Sequence, residues 1–340
     1  MKTKSMLLGG LLALALSGSA LAQEVTLRLH QMLPAQATIP AKALTPWAEK
    51  VQQDSGGRIK VELYPAMQLG GAPPELFDQA KDGVVDLIWT VLGYTPGRFP
   101  KSEVFELPFI MTNGEETSAA FYNYVMANSA DEFAGVKVIA LHTHGPGLFH
   151  AKRPILSLDD LKGMKVRGGS RIISSMLAEL GAEPVGMPVP QTTEALSKGV
   201  IEGTTVPWEV TPSLRISELV TNHTGFSGDN GLYTQTFGFI MNQASYDRLP
   251  DDLKAVIDAN AGLETSRQFG RVMDEGDAAG LKIAQDRGNA IVTLDEAETA
   301  KWREAAQPTI DKWIADMQGQ GIDGAALLAA AQAAIAAENM

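Results

Sequence analysis

The chain has 340 residues, a formal net charge of −12 at neutral pH and no cysteine. The acidic balance argues against nucleic acid, whose phosphates require basic surfaces, and against adsorption to anionic lipid. The lack of cysteine excludes disulfides, thiolate metal sites and thiol nucleophiles. A small anionic ligand stays compatible with this composition, because one arginine in a closed cleft acts locally.

The first 22 residues have the pattern of a secretory signal peptide. Lys2 and Lys4 supply positive charge, Met6–Leu16 is an apolar core too short to span a bilayer, and residues 20–22 match a cleavage site. We expect export to the periplasm and a mature chain of 340 minus 22, or 318, residues. No later apolar run approaches the ~20 residues that a membrane span needs, so we expect no membrane insertion.

Strands and helices alternate through the first part of the mature chain. The pattern predicts strands at 25–30 and 58–64 and a mostly apolar strand at 85–91. Between them it predicts a loop at 33–39 and helices at 40–55 and 74–81. This order, with an apolar third strand, predicts a parallel sheet covered by helices on both faces.

A second series of elements follows. The pattern predicts strands at 136–141, 148–151 and 164–167, a helix at 172–180, a strand near 183–187 and a helix at 190–198. A strand at 236–241 is expected to return to the first domain, and one long helical run is expected from Pro250 to about Arg287. Two more helices close the chain, the last an amphipathic surface helix from Ala325.

Two α/β units with the chain crossing between them predict a hinged protein of two lobes. We expect lobe I to comprise 23–145 plus about 236–270, and lobe II to comprise about 146–235 plus 271–340. A ligand of such a protein would lie between the lobes.

Arg167 is the first candidate for a ligand contact. It ends a short apolar strand and is followed by the turn formers Gly168, Gly169 and Ser170. An arginine at the carboxyl end of a buried strand points to the crevice where open α/β sheets bind ligands. Its guanidinium can hold a carboxylate through two parallel hydrogen bonds. The alternative interpretation is a solvated charge at a strand end.

Several stretches carry a resemblance to a known family. They are, in chain order, 56–65, 68–70, 82–86, 105–109, 158–167, 194–203 and 246–253. In this order the chain resembles the solute-binding proteins of tripartite ATP-independent periplasmic (TRAP) transporters, the dicarboxylate-binding-protein family. The resemblance implies a class II-like periplasmic binding protein, with crossing strands and a long helix linking two α/β lobes. It also implies capture of a small organic acid and its delivery to TRAP permease subunits, and we expect a monomer.

The resemblance also implies a character for the pocket. It matches the arginine that binds the ligand carboxylate to Arg167. Two positions that carry polar side chains in sialic-acid-binding relatives fall here at about Gly147 and Val206. Aromatic residues near the predicted cleft are Trp89, Tyr94, Trp208 and Phe237. We therefore expect a monocarboxylate with a hydrophobic or aromatic remainder, and the alternatives are a C4-dicarboxylate or a sugar acid.

Three further polar residues are candidates for ligand contacts. Glu209 could accept a ligand hydroxyl, bind a cation shared with the ligand, or balance Arg167, and a solvated carboxylate is the alternative. Gln31 follows the first strand, in a loop that contacts ligand in the family. Gln235 lies where the chain crosses back into the first domain.

Metal binding and catalysis find little support in the sequence. His142 and His144 would share one face of a strand, and with His150 they suggest a metal site, but two aligned histidines fall short of a zinc site. The segment Gly225–Gly228 contains a serine without the spacing of a nucleophile elbow. We expect a binding protein without metal or cofactor, and the alternatives are an exported hydrolase acting on a carboxylate substrate and a binding protein of an ATP-driven importer.

Overall fold

Two β-sheets organise the protein, which was analysed as a computed structural model describing residues 24–339. The signal peptide expected at 1–22 lies outside the described residues. The strands are β1 (Val25–Gln31), β2 (Ile59–Tyr64), β3 (Leu87–Val91), β4 (Val136–Thr143), β5 (Leu148–Ala151), β6 (Lys165–Gly168), β7 (Glu183–Gly186), β8 (Gly203–Val206), β9 (Asn222–Phe226), β10 (Thr236–Asn242) and β11 (Ala290–Leu294).

Helices cover both sheets. They are α1 (Thr45–Asp54), α2 (Leu76–Lys81), α3 (Gly114–Asn128), α4 (Arg171–Glu179), α5 (Thr192–Ser197), α6 (Thr211–Leu214), α7 (Ile216–Leu219), α8 (Gln243–Asp247), α9 (Asp251–Ala259), α10 (Leu263–Asp286), α11 (Glu296–Gly319) and α12 (Gly324–Glu338). A π-helical turn at Pro40–Leu44 precedes α1, and short 3₁₀ turns include Ser102–Glu106 and Trp208–Val210. No helix in residues 24–339 combines the length and apolar character needed to cross a membrane.

The first sheet has the strand order β2–β1–β3–β10–β4, and β1 pairs in parallel with β2 and β3. All five residues of β3 are buried, as the apolar pattern of this strand predicts for a sheet covered on both faces. Strand β10 runs antiparallel between β3 and β4. Its first residue, Thr236, therefore lies at the sheet edge to which β3 points.

The second sheet has the order β11–β9–β5–β8–β6–β7. Strand β6 pairs in parallel with β7 and β8, so their carboxyl ends meet at one edge. The Ser170 side chain accepts a hydrogen bond from the backbone N–H of Ile173 and begins α4 directly after β6. The end of β6 is thereby fixed between a strand and a capped helix.

The chain passes between the two sheets four times. The passes are β4 to β5, β9 to β10, α10 to β11, and α11 to α12, which packs on α3. Four segments therefore connect the lobes, and each would have to adjust in any movement of one lobe relative to the other.

The structure corrects two expectations from the sequence. The run from 250 to 287 is two helices, since Gly262 has φ 96° and separates α9 from α10. The last helix, α12, is a surface helix as expected, and it buries Ala331 and Ile335 on the side that packs on α3. It therefore lies with the first sheet, although 271–340 were assigned to lobe II. The sequence also gave no signal for α3, β8, β9 or β11.

Helix α10 lies against parts of both lobes. Asp274 accepts hydrogen bonds from the backbone N–H groups of Gly114 (2.7 Å) and Glu115 at the start of α3. One helical turn later, Asp277 accepts a 2.7 Å bond from the backbone N–H of Glu209. Gly280 allows α10 to approach the Trp208–Val210 turn closely, because a Cβ at this position would lie 2.0 Å from the Trp208 carbonyl oxygen.

We expect Gly280→Ala to destabilise the protein by about 1–3 kcal/mol, because the added methyl group forces α10 away from the Trp208–Val210 turn. The gain in helix propensity, roughly 1 kcal/mol, is smaller than this steric cost. Gly319→Ala is the control, since a Cβ there meets nothing within 4 Å. Urea unfolding measures both variants, and equal stability of the two would show that the contact tolerates a side chain.

Candidate ligand-binding site

A cavity of about 30 Å³ lies between the two sheets. Its wall combines the end of β3, the end of β6, the segment after β8 and the start of β10, together with one residue of α10. All lining residues are buried: Met32, Leu33, Trp89, Val91, Tyr94, His144, Arg167, Val189, Val206, Pro207, Glu209, Val210, Gln235, Phe237 and Met273. The lining is mostly apolar, as in small-molecule sites.

Arg167 supplies the positive charge of this cavity and is 0% exposed. Its Nε donates to the Met187 carbonyl at 3.0 Å, and its Nη1 donates to the Thr205 carbonyl at 3.2 Å. No carboxylate forms an ion pair with it among the described residues. Two backbone carbonyls thus orient the guanidinium and leave its charge without an anionic partner, an arrangement that favours an anionic ligand.

Tyr94 adds a hydroxyl beside the arginine. This oxygen accepts a 2.8 Å hydrogen bond from the backbone N–H of Val189 and lies 3.5 Å from Nη2 of Arg167. Burial raises the pKa of the Tyr94 phenol, so it keeps its proton at neutral pH. Because its oxygen accepts both bonds, its hydrogen is available to an acceptor in the cavity.

Aromatic rings from neighbouring strands form one wall. The ring of Phe237 lies nearly parallel to Trp89, with centroids 5.1 Å apart, and to His142, with centroids 4.8 Å apart. Nε1 of Trp89 donates to Nε2 of His142 at 2.8 Å. These contacts hold the three rings against one another, and Trp89 and Phe237 line the cavity.

The histidines near the cavity are neutral. Burial lowers the pKa of His142 to about 3 and that of His144 to about 4. Nε2 of His144 accepts a 3.1 Å hydrogen bond from the backbone N–H of Gln235. His150 pairs with His223 at 2.7 Å, Nδ1 to Nδ1, away from the cavity. No group of three or more metal-ligating side chains occurs within residues 24–339.

Two polar atoms at the cavity have no hydrogen-bond partner within the described chain. They are Oε1 of Glu209 and Nε2 of Gln235. Burial raises the pKa of Glu209 to about 7. Unpartnered buried polar atoms are uncommon, and at a cavity they are candidates for contact with a ligand or a water molecule.

The structure brings six of the residues expected from the sequence together around this cavity: Trp89, Arg167, Val206, Glu209, Gln235 and Phe237. The other three lie outside its lining. The side chain of Gln31 folds back to the backbone of Leu33, donating to its carbonyl at 2.7 Å. Gly147 lets the Tyr233 ring approach, since a Cβ there would lie 2.2 Å from that ring. The Trp208 ring packs instead on the pair of histidines, His150 and His223.

Several lining residues were not among the expected contacts. The sequence places Tyr94 among the aromatic residues near the cleft, but it does not indicate that the Tyr94 hydroxyl contacts the Arg167 guanidinium. Val189 and Met273 come from segments distant in the chain, and only the packing of the lobes brings them to the site. An open groove lined by Gly168–Arg171 lies on the other side of Tyr94, and there Arg171 is already paired with Glu103 and Asp316.

A second buried carboxyl, Glu106, lies outside the cavity. Its Oε1 accepts hydrogen bonds from the backbone N–H of Thr236 at 3.1 Å and from the Thr236 hydroxyl at 3.0 Å. Its Oε2 has no partner in the described residues. Burial raises the pKa of Glu106 to about 7, although the hydrogen bonds from Thr236 oppose the shift.

A family model described as bacterial extracellular solute-binding protein, family 7, matches residues 30–316. The chain belongs to this family. The resemblance to TRAP solute-binding proteins that the sequence suggested is therefore confirmed.

Solved TRAP solute-binding proteins are similar to this family member over nearly their whole length. One from Rhodoferax ferrireducens T118, solved with copurified benzoate, is 48% identical with a TM-score of 0.91, covering 93% of this chain and 98% of that chain. One from a marine metagenome, specific for aromatic acid ligands and solved with 3-hydroxybenzoate, is 47% identical with a TM-score of 0.92, covering 94% and 100%. One from Bordetella bronchiseptica with bound mandelate is 30% identical with a TM-score of 0.83, covering 92% and 98%. These likenesses confirm the expected two-lobe α/β fold.

We expect Glu106→Gln to gain stability relative to the wild type as the pH rises from 5 to 8. The carboxyl has a pKa of about 7 in the folded state against an ordinary 4.5, so the folded state binds more protons and wild-type stability falls through this window. The relative gain should be roughly 1–3 kcal/mol. Urea unfolding at each pH measures it. Glu49→Gln, at an exposed position, is the matched control. Parallel curves for Glu106→Gln and the wild type would refute the expectation.

Proposed function

We propose that this solute-binding protein captures an aromatic monocarboxylate in the periplasm and delivers it to a TRAP permease. The observation that carries the proposal is a fully buried Arg167 that has no carboxylate partner in the described protein and faces a mostly apolar cavity. A ligand carboxylate would supply the missing charge, and a flat ring would pack on the wall formed by Trp89 and Phe237.

The charges at the cavity disfavour a dicarboxylate. Arg167 is the one lysine or arginine among the cavity-lining residues, and His144 is neutral. The second carboxylate of a C4 acid would be buried without a cation and would share the cavity with Glu209. An unpaired buried charge is costly, so this class should bind weakly.

The apolar wall disfavours a sugar acid. A sugar acid presents several hydroxyls, and each would need a partner in a cavity that offers few free polar atoms. By contrast, the relatives solved with benzoate, 3-hydroxybenzoate and mandelate are 48%, 47% and 30% identical to this chain. Their ligands are monocarboxylates with an aromatic ring, which supports the same class for this protein.

The mode of action we propose is closure without turnover. The four passes of the chain allow two lobes to open and close around the ligand, with lobe I built on the first sheet and lobe II on the second. The protein would act as an exported monomer. The hydrolase alternative gains no support, since the hydroxyl of Ser227 lies 3.3 Å from that of Thr299 and contacts no base there.

We expect Arg167→Ala to weaken binding of benzoate by ~30-fold to several thousand-fold, because removing one partner of a buried charge pair costs ~2–5 kcal/mol. Arg167→Lys should also bind weakly, since lysine lacks the planar fork. Isothermal titration calorimetry measures both. Arg98→Lys is the control, because Arg98 pairs with Asp78 away from the cavity. Unchanged affinity in Arg167→Ala would refute the role of this arginine.

A thermal-shift screen of the mature protein tests the ligand class. Benzoate and mandelate should raise the melting temperature by several degrees, since a ligand at 100 times its Kd adds ~2.7 kcal/mol. Succinate and glucuronate should raise it little. Stabilisation by these two acids alone would overturn the aromatic class and leave the family unchanged.

A further inference from the structure

The cavity offers a second polar position besides Arg167. Oε1 of Glu209 is buried and has no hydrogen-bond partner among the described residues, and the residue itself is 4% exposed and lines the cavity. Leaving a buried oxygen unpaired is unfavourable unless something else fills the position.

Glu209 is held firmly in place. Its backbone N–H donates to Asp277 at 2.7 Å, and the hydroxyl of Thr38 lies 3.4 Å from its backbone carbonyl. Its side chain packs on α10, where a Cβ at Gly276 would lie 2.6 Å from its Cγ. The unpaired oxygen therefore has a fixed position, which a site needs for selection.

Glu209 and Arg167 both line the cavity but have no hydrogen-bond partner in common among the described residues. Arg167 contacts Tyr94, Met187 and Thr205, none of which hydrogen-bonds to Glu209. No ion pair joins the two side chains within the described residues. The unpaired Nε2 of Gln235 lies near the end of β6, because the Gln235 amide packs on Gly169, two residues after Arg167.

The two unpaired atoms differ in chemistry. The amide nitrogen of Gln235 is a donor and suits the ligand carboxylate beside Arg167. A carboxyl oxygen of Glu209 would repel that carboxylate but accepts readily from a hydroxyl.

We propose that Glu209 binds a hydroxyl on the ligand ring, so that the protein prefers hydroxylated aromatic acids to the unsubstituted ring. The inference rests on the proposed function and specifies the substrate class of the same cavity. An unsubstituted ring would leave Oε1 of Glu209 buried and unpaired, and a site built for a hydroxyl discriminates strongly against an analogue that lacks it.

The test compares benzoate with 3-hydroxybenzoate and 4-hydroxybenzoate by isothermal titration calorimetry. The wild type should bind the better hydroxybenzoate about 10- to 100-fold more tightly than benzoate. In Glu209→Leu this ratio should fall to near 1, with benzoate affinity kept or raised, because the unpaired carboxyl is gone. Glu209→Gln retains a hydrogen-bond acceptor and should keep part of the preference for the hydroxybenzoate. It replaces Glu209→Leu in the test if the leucine variant fails to fold.

Glu106→Gln is the matched control, since Glu106 is also a buried carboxyl with one unpaired oxygen but does not line the cavity. Its ratio should equal that of the wild type. Equal binding of all three acids by the wild type, or an unchanged ratio in both Glu209 variants, would overturn the role of Glu209 and leave the proposed function standing. Failure of the wild type to bind any of the three would overturn the proposed function itself.

Discussion

The structure depends on one buried guanidinium. Arg167 is held by the carbonyls of Met187 and Thr205, and both belong to the same lobe as the arginine. The contact from the other lobe is Tyr94, whose hydroxyl also accepts from Val189. The charge is thus placed by one lobe and enclosed by the other. An anion at this position would compensate the charge and add contacts across the cleft, so ligand capture and lobe closure are favoured by the same interaction.

The absence of a second cation at the cavity makes that one charge effective. Burial keeps His142 and His144 neutral by lowering their pKa values to about 3 and 4. No other lysine or arginine among the cavity-lining residues therefore competes with Arg167 for an anionic ligand. Helix α10 maintains this arrangement, because Asp274 anchors α3 of one lobe while Asp277 anchors the turn that carries Glu209.

The sequence predicted those parts of the site that follow from local pattern. The strand ending at Arg167 and the turn after it were recognisable because a short apolar run is followed directly by the turn formers Gly168, Gly169 and Ser170. Trp89 and Phe237 were recognisable as aromatic residues on strands of the first sheet. Side-chain direction was not recognisable. Trp208 turns toward His150, and Gln31 bonds to its own loop, because these choices depend on packing that a linear pattern does not encode. The same holds for α12, whose alanine-rich sequence does not reveal that it packs on α3.

Every residue that lines the cavity is buried. In the proposed mode of action, a bound acid exchanges with solvent or passes to the permease when the lobes separate. Release therefore has the form of thermodynamic linkage: a permease promotes it only to the extent that it binds the open form more tightly than the closed one. The factor by which docking weakens ligand binding equals the factor by which ligand weakens docking. Ligand release is in this sense governed by the cavity, which favours the closed form when ligand is bound, and by the permease-docking surface, which favours the open form.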